Sequence, residues 1–218
     1  MSSAWQVERV VGSAAEVHAR EVPPDSPPSV WVVEPTDRSV VLGSSQSDGD
    51  IDAEAARRAG IVVARRRSGG GAVLVTPASM VWVDVVMPRA HPAWTDDIGR
   101  AAVWMGERWA DALRGLGVDG EVLQPPMVAD PLASVVCFVG RGPGEIVVGG
   151  AKAVGISQRR TRETARFQCA ALLEWEPDLL LEVLAPLRAA DEDRVRAAGV
   201  GLRMDAASLI EALVQALR

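Results

Sequence analysis

Residues 65–88 read RRRSGGGAVLVTPASMVWVDVVMP, and this stretch decides the fold class. Residues 72–75 and 80–87 are short, valine-rich and almost continuously apolar. Pro88 then removes the backbone donor that a further sheet bond would need. Runs of this length and β-branched content read as buried strands rather than helices. The glycines at 69–71 let the chain turn sharply between an arginine run and the first of them.

Further short β-branched runs lie upstream at 30–33, 39–42 and 60–64, with an alanine-rich helical spacing at 52–59 between the last two. Before them, an amphipathic start ends at a proline-rich loop, 23–28. Residues 95–116 carry the strongest helical pattern. Ile98, Ala102, Met105, Trp109 and Leu113 form one apolar stripe, Asp96 and Asp97 suit the first turn, and Gly117 stops the helix. After a loop at Pro125-Pro126, strands are expected at 134–139, 145–148 and 153–158, the last two joined through a Gly149-Gly150 turn. Residues 165–173 fit either a strand or a helix. From Pro177 the pattern is helical, and Asp205 is a fitting N-cap for Leu209, Ile210, Leu213, Val214 and Leu217. Strands grouped in the body, with helices among and after them, make an α+β domain: a mixed β-sheet core flanked by helices. Residues 1–175 are expected to form the main domain and 176–218 a short helical C-terminal tail.

Composition narrows the function. With 218 residues the chain can bury about 70% of its unfolded surface, enough for a core without staples. Two cysteines, Cys137 and Cys169, allow no disulfide framework and no CxxC metal pair. No apolar run reaches the ~20 residues that span a bilayer, and residues 1–20 lack a signal-peptide pattern. A cytoplasmic protein with no membrane role is the expectation. A formal net charge of −6 argues against general nucleic-acid binding. His18 and His91, the two histidines, are too few for a zinc site or a Ser–His–Asp triad and read as surface or loop residues.

Two basic segments interrupt this acidic chain. In residues 65–73, free amides at a triple-glycine turn can form an anion-binding concavity beside arginines. No Lys-Ser/Thr follows at the Walker offset, and GxGxxG is absent. In residues 149–160, GGAKAVGISQRR, Lys152 stands alone between glycines, where the backbone is thin and a ligand comes close. A cation there suits an oxygen that gains charge in a transition state. Each segment alone also fits a plain turn, and removal of Lys152 is expected to leave folding intact.

Taken together and in this order, the segments resemble the lipoate–protein ligase family, within the superfamily of octanoyltransferases and biotin protein ligases. The resemblance rests on Arg66-Arg67-Ser68-Gly69-Gly70-Gly71-Ala72-Val73 and on Gly150-Ala151-Lys152-Ala153-Val154-Gly155-Ile156-Ser157-Gln158-Arg159. Val41-Leu42-Gly43-Ser44-Ser45-Gln46 and Leu172-Leu173 support it, and it covers roughly residues 30–175. It implies a two-step reaction in which lipoate or octanoate reacts with ATP to give an acyl-adenylate, and a carrier-protein lysine then takes the acyl group. The implied carrier is a lipoyl domain of a 2-oxoacid dehydrogenase subunit or of the glycine cleavage system. The resemblance further implies that Lys152 contacts the oxygen between acyl and phosphate. Arg66, Ser68, Gly69, Gly70, Gly71, Ala72, Val73, Gly155, Ser157 and Gln158 would border acid and nucleotide, and Glu145 would lie near the phosphates and magnesium. Val73, Val81 and Trp82 are expected to help line an acyl tunnel. Three departures stand out: Val75-Thr76 replaces a His-Asp pair, Gln168-Cys169 replaces a His-Gly pair, and the tail at 176–218 is expected to be too short for the accessory domain that some members carry.

A rival enzyme reading uses Cys137, which precedes Phe138 and lies fifteen residues before Lys152, as in a cysteine-dependent branch of octanoyltransferases. It would take octanoate from acyl carrier protein through a thioester, without ATP. Apolar neighbours on an expected strand argue for a packed, unreactive thiol instead. The third reading is a non-catalytic binder of a lipoyl- or biotin-like acid.

Overall fold

The apolar run at 80–87 is the centre of the molecule. The structure, a computed structural model, describes residues 5–218. In chain order the elements are β1 (Gln6–Gly12), α1 (Ala14–Ala19), β2 (Ser29–Pro35), β3 (Ser39–Leu42), α2 (Ala53–Arg58), β4 (Val62–Arg65), β5 (Val73–Val75), β6 (Met80–Pro88), α3 (Ile98–Gly115), β7 (Glu121–Val122), β8 (Ile146–Val148), β9 (Ala151–Arg160), β10 (Thr164–Leu172), α4 (Pro177–Val183), α5 (Glu192–Ala198) and α6 (Ala206–Ala216). The main sheet has seven strands in the order β1-β2-β6-β10-β9-β8-β7, and a second sheet has three, β4-β3-β5. Both sheets are mixed. The parallel pairs β1–β2 and β3–β4 need crossovers, which α1 and α2 supply. Alternative readings of 165–173 are resolved in favour of a strand, because β10 pairs antiparallel with both β6 and β9.

β6 is apolar without alternation because both of its faces are covered. Val81, Val83, Val85 and Met87 pack with α3 and α6, through Met105, Trp109, Leu113, Leu209 and Leu213. Met80, Trp82 and Val86 face the other side, where they meet α1 and the small sheet through Val17, Val41 and Val75. A further core under the small sheet gathers Leu42, Ala56 and Leu74 with Leu180, Val183 and Val195 of the C-terminal helices.

Three local expectations are corrected. The long helix begins at Ile98 with Asp97 as its N-cap, so Asp96 lies outside the first turn. Its buried face runs through Ala101, Met105, Trp109 and Leu113, leaving Ile98 63% exposed. Residues 134–139 do not form a strand. They wrap through two single 3₁₀ turns, Pro131–Ser134 and Cys137–Val139, the first capped by Asp130, and their one β-bridge is Ala72–Val136.

Candidate active site

β8 and β9 form a hairpin whose turn residues Gly149 and Gly150 have φ of +58° and +89°. Such values favour glycine and match the twist of a two-residue hairpin. A register shift at Ile146/Val147 follows, opposite Lys152. Irregularities of this kind re-aim a side chain, and Lys152 is 2% exposed. Its Nζ donates to Glu145 Oε2 at 2.8 Å and to the Cys137 carbonyl at 2.9 Å, and lies 5.3 Å from the Phe138 ring centre. Glu145 also accepts from the Gly142 amide at 2.6 Å. A buried ammonium persists only with such partners. Lys152 is therefore not a solvated turn residue.

The glycine turn is held from inside. Arg66, 5% exposed, donates to the carbonyls of Val41, Gly69 and Gly71 at 3.1, 2.7 and 2.8 Å. Its hydrogen-bonding capacity goes largely to the loop, so what it offers a ligand is mainly positive charge. Gly70 has φ of +91°, and a Cβ on Gly43 would stand 1.9 Å from the Gly70 carbonyl oxygen, so the two loops touch through bare backbone. Gly71 and Ala72 tie the turn to the 3₁₀ segment: their amides donate to the Ala133 and Val135 carbonyls, and the Ala72 carbonyl accepts from the Cys137 amide. Ser68 Oγ lies 3.4 Å from Ser157 Oγ on β9, joining the two basic segments in space.

Between the sheets opens a mostly apolar cavity of about 830 Å³. Of the residues singled out from sequence, Arg66, Gly69, Gly70, Val73, Cys137, Glu145, Lys152, Gly155, Ser157 and Gln158 line it, while Ser68, Gly71 and Ala72 do not. Trp82 lines it as expected, but Val81 points to the α3 side and does not. Cys137 is half-buried on the cavity wall at the start of a 3₁₀ turn, and not a packed strand residue. Cys169 also borders the cavity but is 1% exposed, and burial pushes its thiol pKa up, which makes it a poor nucleophile.

Sequence reasoning missed much of the remaining wall. His18 lines the cavity rather than the outer surface, its ring 4.8 Å from that of Trp82 and its Nδ1 3.0 Å from Gln168 Nε2. Burial, together with the charges of Arg166 and Arg66, lowers its pKa to about 3 and keeps it neutral. Behind it, Arg166 donates to Asp84 Oδ2 at 2.5 and 2.8 Å and to the carbonyls of Val17 and Arg20, so it also fastens the end of α1. The signal was there: Asp84 and Arg166 are charges set in otherwise apolar strands, and buried charges need partners. Segment 127–134, which closes another side, carries no motif at all.

Among the described residues, no group of three or more His, Cys, Asp or Glu side chains could hold a metal ion. Glu145 is already engaged by Lys152 and the Gly142 amide. A resident metal does not fit this site, although a single carboxylate can still assist a magnesium that arrives on phosphate oxygens. No described helix is long and apolar enough to cross a membrane.

Comparison with known proteins agrees with this geometry. A T. acidophilum protein, Ta0514, described as a putative lipoate protein ligase with bound lipoic acid, matches with a TM-score of 0.76 at 21% identity, covering 100% of this chain and 85% of that one. A lipoate-protein ligase A bound with ATP matches at 0.75 and 21%, covering 100% and 84%. A bi-partite lipoate protein ligase, described with its E2 lipoyl domain from Thermoplasma acidophilum, matches at 0.75 and 20%, covering 98% and 82%. No curated protein matches the sequence. The model of the lipoyl protein ligase A/B catalytic domain matches residues 13–217, and the chain belongs to that family.

Proposed function

We propose that the protein activates lipoate or octanoate with ATP and passes the acyl group to a lysine of a lipoyl carrier domain in the cytoplasm. The observation that carries this reading is the buried Lys152 ammonium on the wall of an apolar cavity, beside a glycine turn whose backbone is open at Gly69. The apolar wall suits an alkyl chain. Lys152 and the charge of Arg66 suit the carboxylate and phosphate end. In the first step a carboxylate oxygen bonds to the α-phosphorus of ATP and pyrophosphate leaves. In the second, the carrier lysine's amine bonds to the acyl carbon, AMP leaves and the amine loses a proton. The mixed anhydride is already activated, so positioning and positive charge are the main demands on the protein. Glu145 holds Lys152 in place and can share a magnesium brought by ATP. The lipoyl-domain partner is supported by the relative described with its E2 lipoyl domain.

The test is pyrophosphate release with lipoate and ATP, followed by the mass of a purified lipoyl domain. Release and an added lipoyl mass support the ligase. Neither, with either acid, would sink it.

One observation favours a second reading. Cys137 opens onto the same cavity as Lys152, which donates to its carbonyl. A Cys137 thiolate could then attack an octanoyl thioester of acyl carrier protein, releasing the carrier thiol and leaving an octanoyl-enzyme for the carrier lysine.

A further inference from the structure

We propose that His18 is a specificity residue of the acyl pocket: its ring N–H selects, among medium-chain acids, those carrying a hydrogen-bond acceptor toward the end remote from the carboxylate. This rests on the reading of the cavity as an acyl pocket, and names which acids it prefers.

The ring's tautomer follows from a chain of partners. Asp84 is an acceptor, held by Arg166 at 2.5 and 2.8 Å and by the Trp82 indole N–H at 2.8 Å. Gln168 is the cross-strand partner of Asp84, and its Nε2 lies 3.0 Å from His18 Nδ1. An amide nitrogen only donates, so Nδ1 accepts and the ring proton sits on Nε2. Among the described residues nothing else bonds the His18 ring. Nε2–H is thus the ring's one unengaged polar group, on a residue that lines the cavity.

The ring is also fixed in place. It lies against Trp82, with ring centres 4.8 Å apart and planes tilted by 34°, and Arg166 clamps the last turn of α1 through the Val17 and Arg20 carbonyls. Beside Gln168 and the charges of Arg66 and Arg166, the cavity that it lines is walled by Val41, Val75, Met80 and Trp82. Lys152 Nζ meets Glu145 and the Phe138 ring, which both flank Gly155, and Ser157, the residue opposite Gln168, lies two residues further along β9, about 7 Å at the usual strand rise. An acid anchored at Lys152 would therefore bring the remote part of its chain, and not its carboxylate, toward His18. A plain alkyl end leaves the donor unpaired in a dry pocket, whereas a sulfur or oxygen near that end satisfies it.

Calorimetric titration of the full chain with octanoate, lipoate and 6-oxooctanoate tests this. A neutral hydrogen bond corresponds to roughly three- to ten-fold in affinity. Wild type should bind 6-oxooctanoate by that factor more tightly than octanoate, with lipoate also ahead of octanoate. His18→Phe, which keeps an aromatic ring against Trp82, should bring the oxo-to-octanoate ratio to within two-fold. Gln168→Leu, which frees the ring's tautomer, should reduce the ratio part of the way. An unchanged ratio in His18→Phe overturns the proposal, as does equal binding of the oxo acid and octanoate by wild type, which needs no variant to fold. If octanoate and lipoate bind but without this preference, the specificity role alone falls. If wild type binds none of the three acids, the acyl-pocket reading falls with it.

Discussion

Lys152 Nζ stands 2.8 Å from Glu145 Oε2, with the two side chains 2% and 8% exposed. This pair links activity to stability. Removing the lysine would be harmless to a turn, but here it strands a buried carboxylate, which typically costs about 3–5 kcal/mol. Lys152→Ala should therefore lower both the urea midpoint and, by two to three orders of magnitude, pyrophosphate release. Lys152→Met with Glu145→Gln should recover most of the midpoint and none of the rate. A single variant with wild-type stability would show that the pair is not formed.

The glycine turn should respond position by position. A Cβ on Gly71 would meet Ala133 O, Val135 C and Val136 N at 2.6 Å, all of them backbone, while one on Gly69 would meet nothing within 4 Å. Gly71→Ala is expected to lose about 1–3 kcal/mol by overpacking, and Gly69→Ala to stay near wild type in thermal melting. Gly70→Val combines a φ of +91° with crowding of Arg66, so it should weaken stability as well as ligand affinity.

Cys137 separates the two enzyme readings. Under the ligase reading, Cys137→Ser keeps ATP-dependent transfer within about three-fold, since a hydroxyl replaces a thiol of similar shape. Intact-protein mass after incubation with octanoyl-acyl carrier protein is the decisive readout. An octanoyl adduct on wild type that is absent from Cys137→Ser makes this chain a transferase. The half-buried position on the cavity wall leaves that route open, which the expected strand would not have done.

Stability should also fall on mild acidification. His18 has a folded pKa of about 3, below the ~6.5 of an unfolded histidine. The unfolded state binds a proton as pH drops below ~6.5 while the folded state does not, so the contribution is complete above that pH and declines as pH falls toward 3. His91, also lowered by burial, acts in the same direction. Between pH 7 and 5 the His18 contribution amounts to roughly 2 kcal/mol at most. Urea unfolding of His18→Phe should show a flatter profile across that window, before the paired carboxylates such as Glu21 and Asp96 begin to titrate. Equal slopes for variant and wild type would remove His18 as the cause.

Local pattern decided a good deal of this protein. β6 was legible because an unbroken apolar run needs cover on both faces, and α3 because its stripe repeats at the helical period. The arginine–glycine turn and the lone lysine were legible as a pair, since each needs a thin backbone that few residues permit. Residues 134–139 were not. Their valines fit a strand locally, but Gly71 and Ala72 take up the backbone groups of 133, 135 and 137, and no ladder can then form.

Chemistry that depends on distant partners was decided only by the tertiary structure. Lys152 is a buried, paired side chain rather than a surface turn residue because Glu145 and the Cys137 carbonyl meet it. His18 is held in place because Gln168 meets its ring and Arg166 clamps the neighbouring Val17 carbonyl, from 150 and 149 residues away along the chain. Sequence alone determines which side chains can be buried and with what period. Which buried polar group meets which is set by sheet order and register, because a buried polar group takes its state from partners that the chain brings together only on folding.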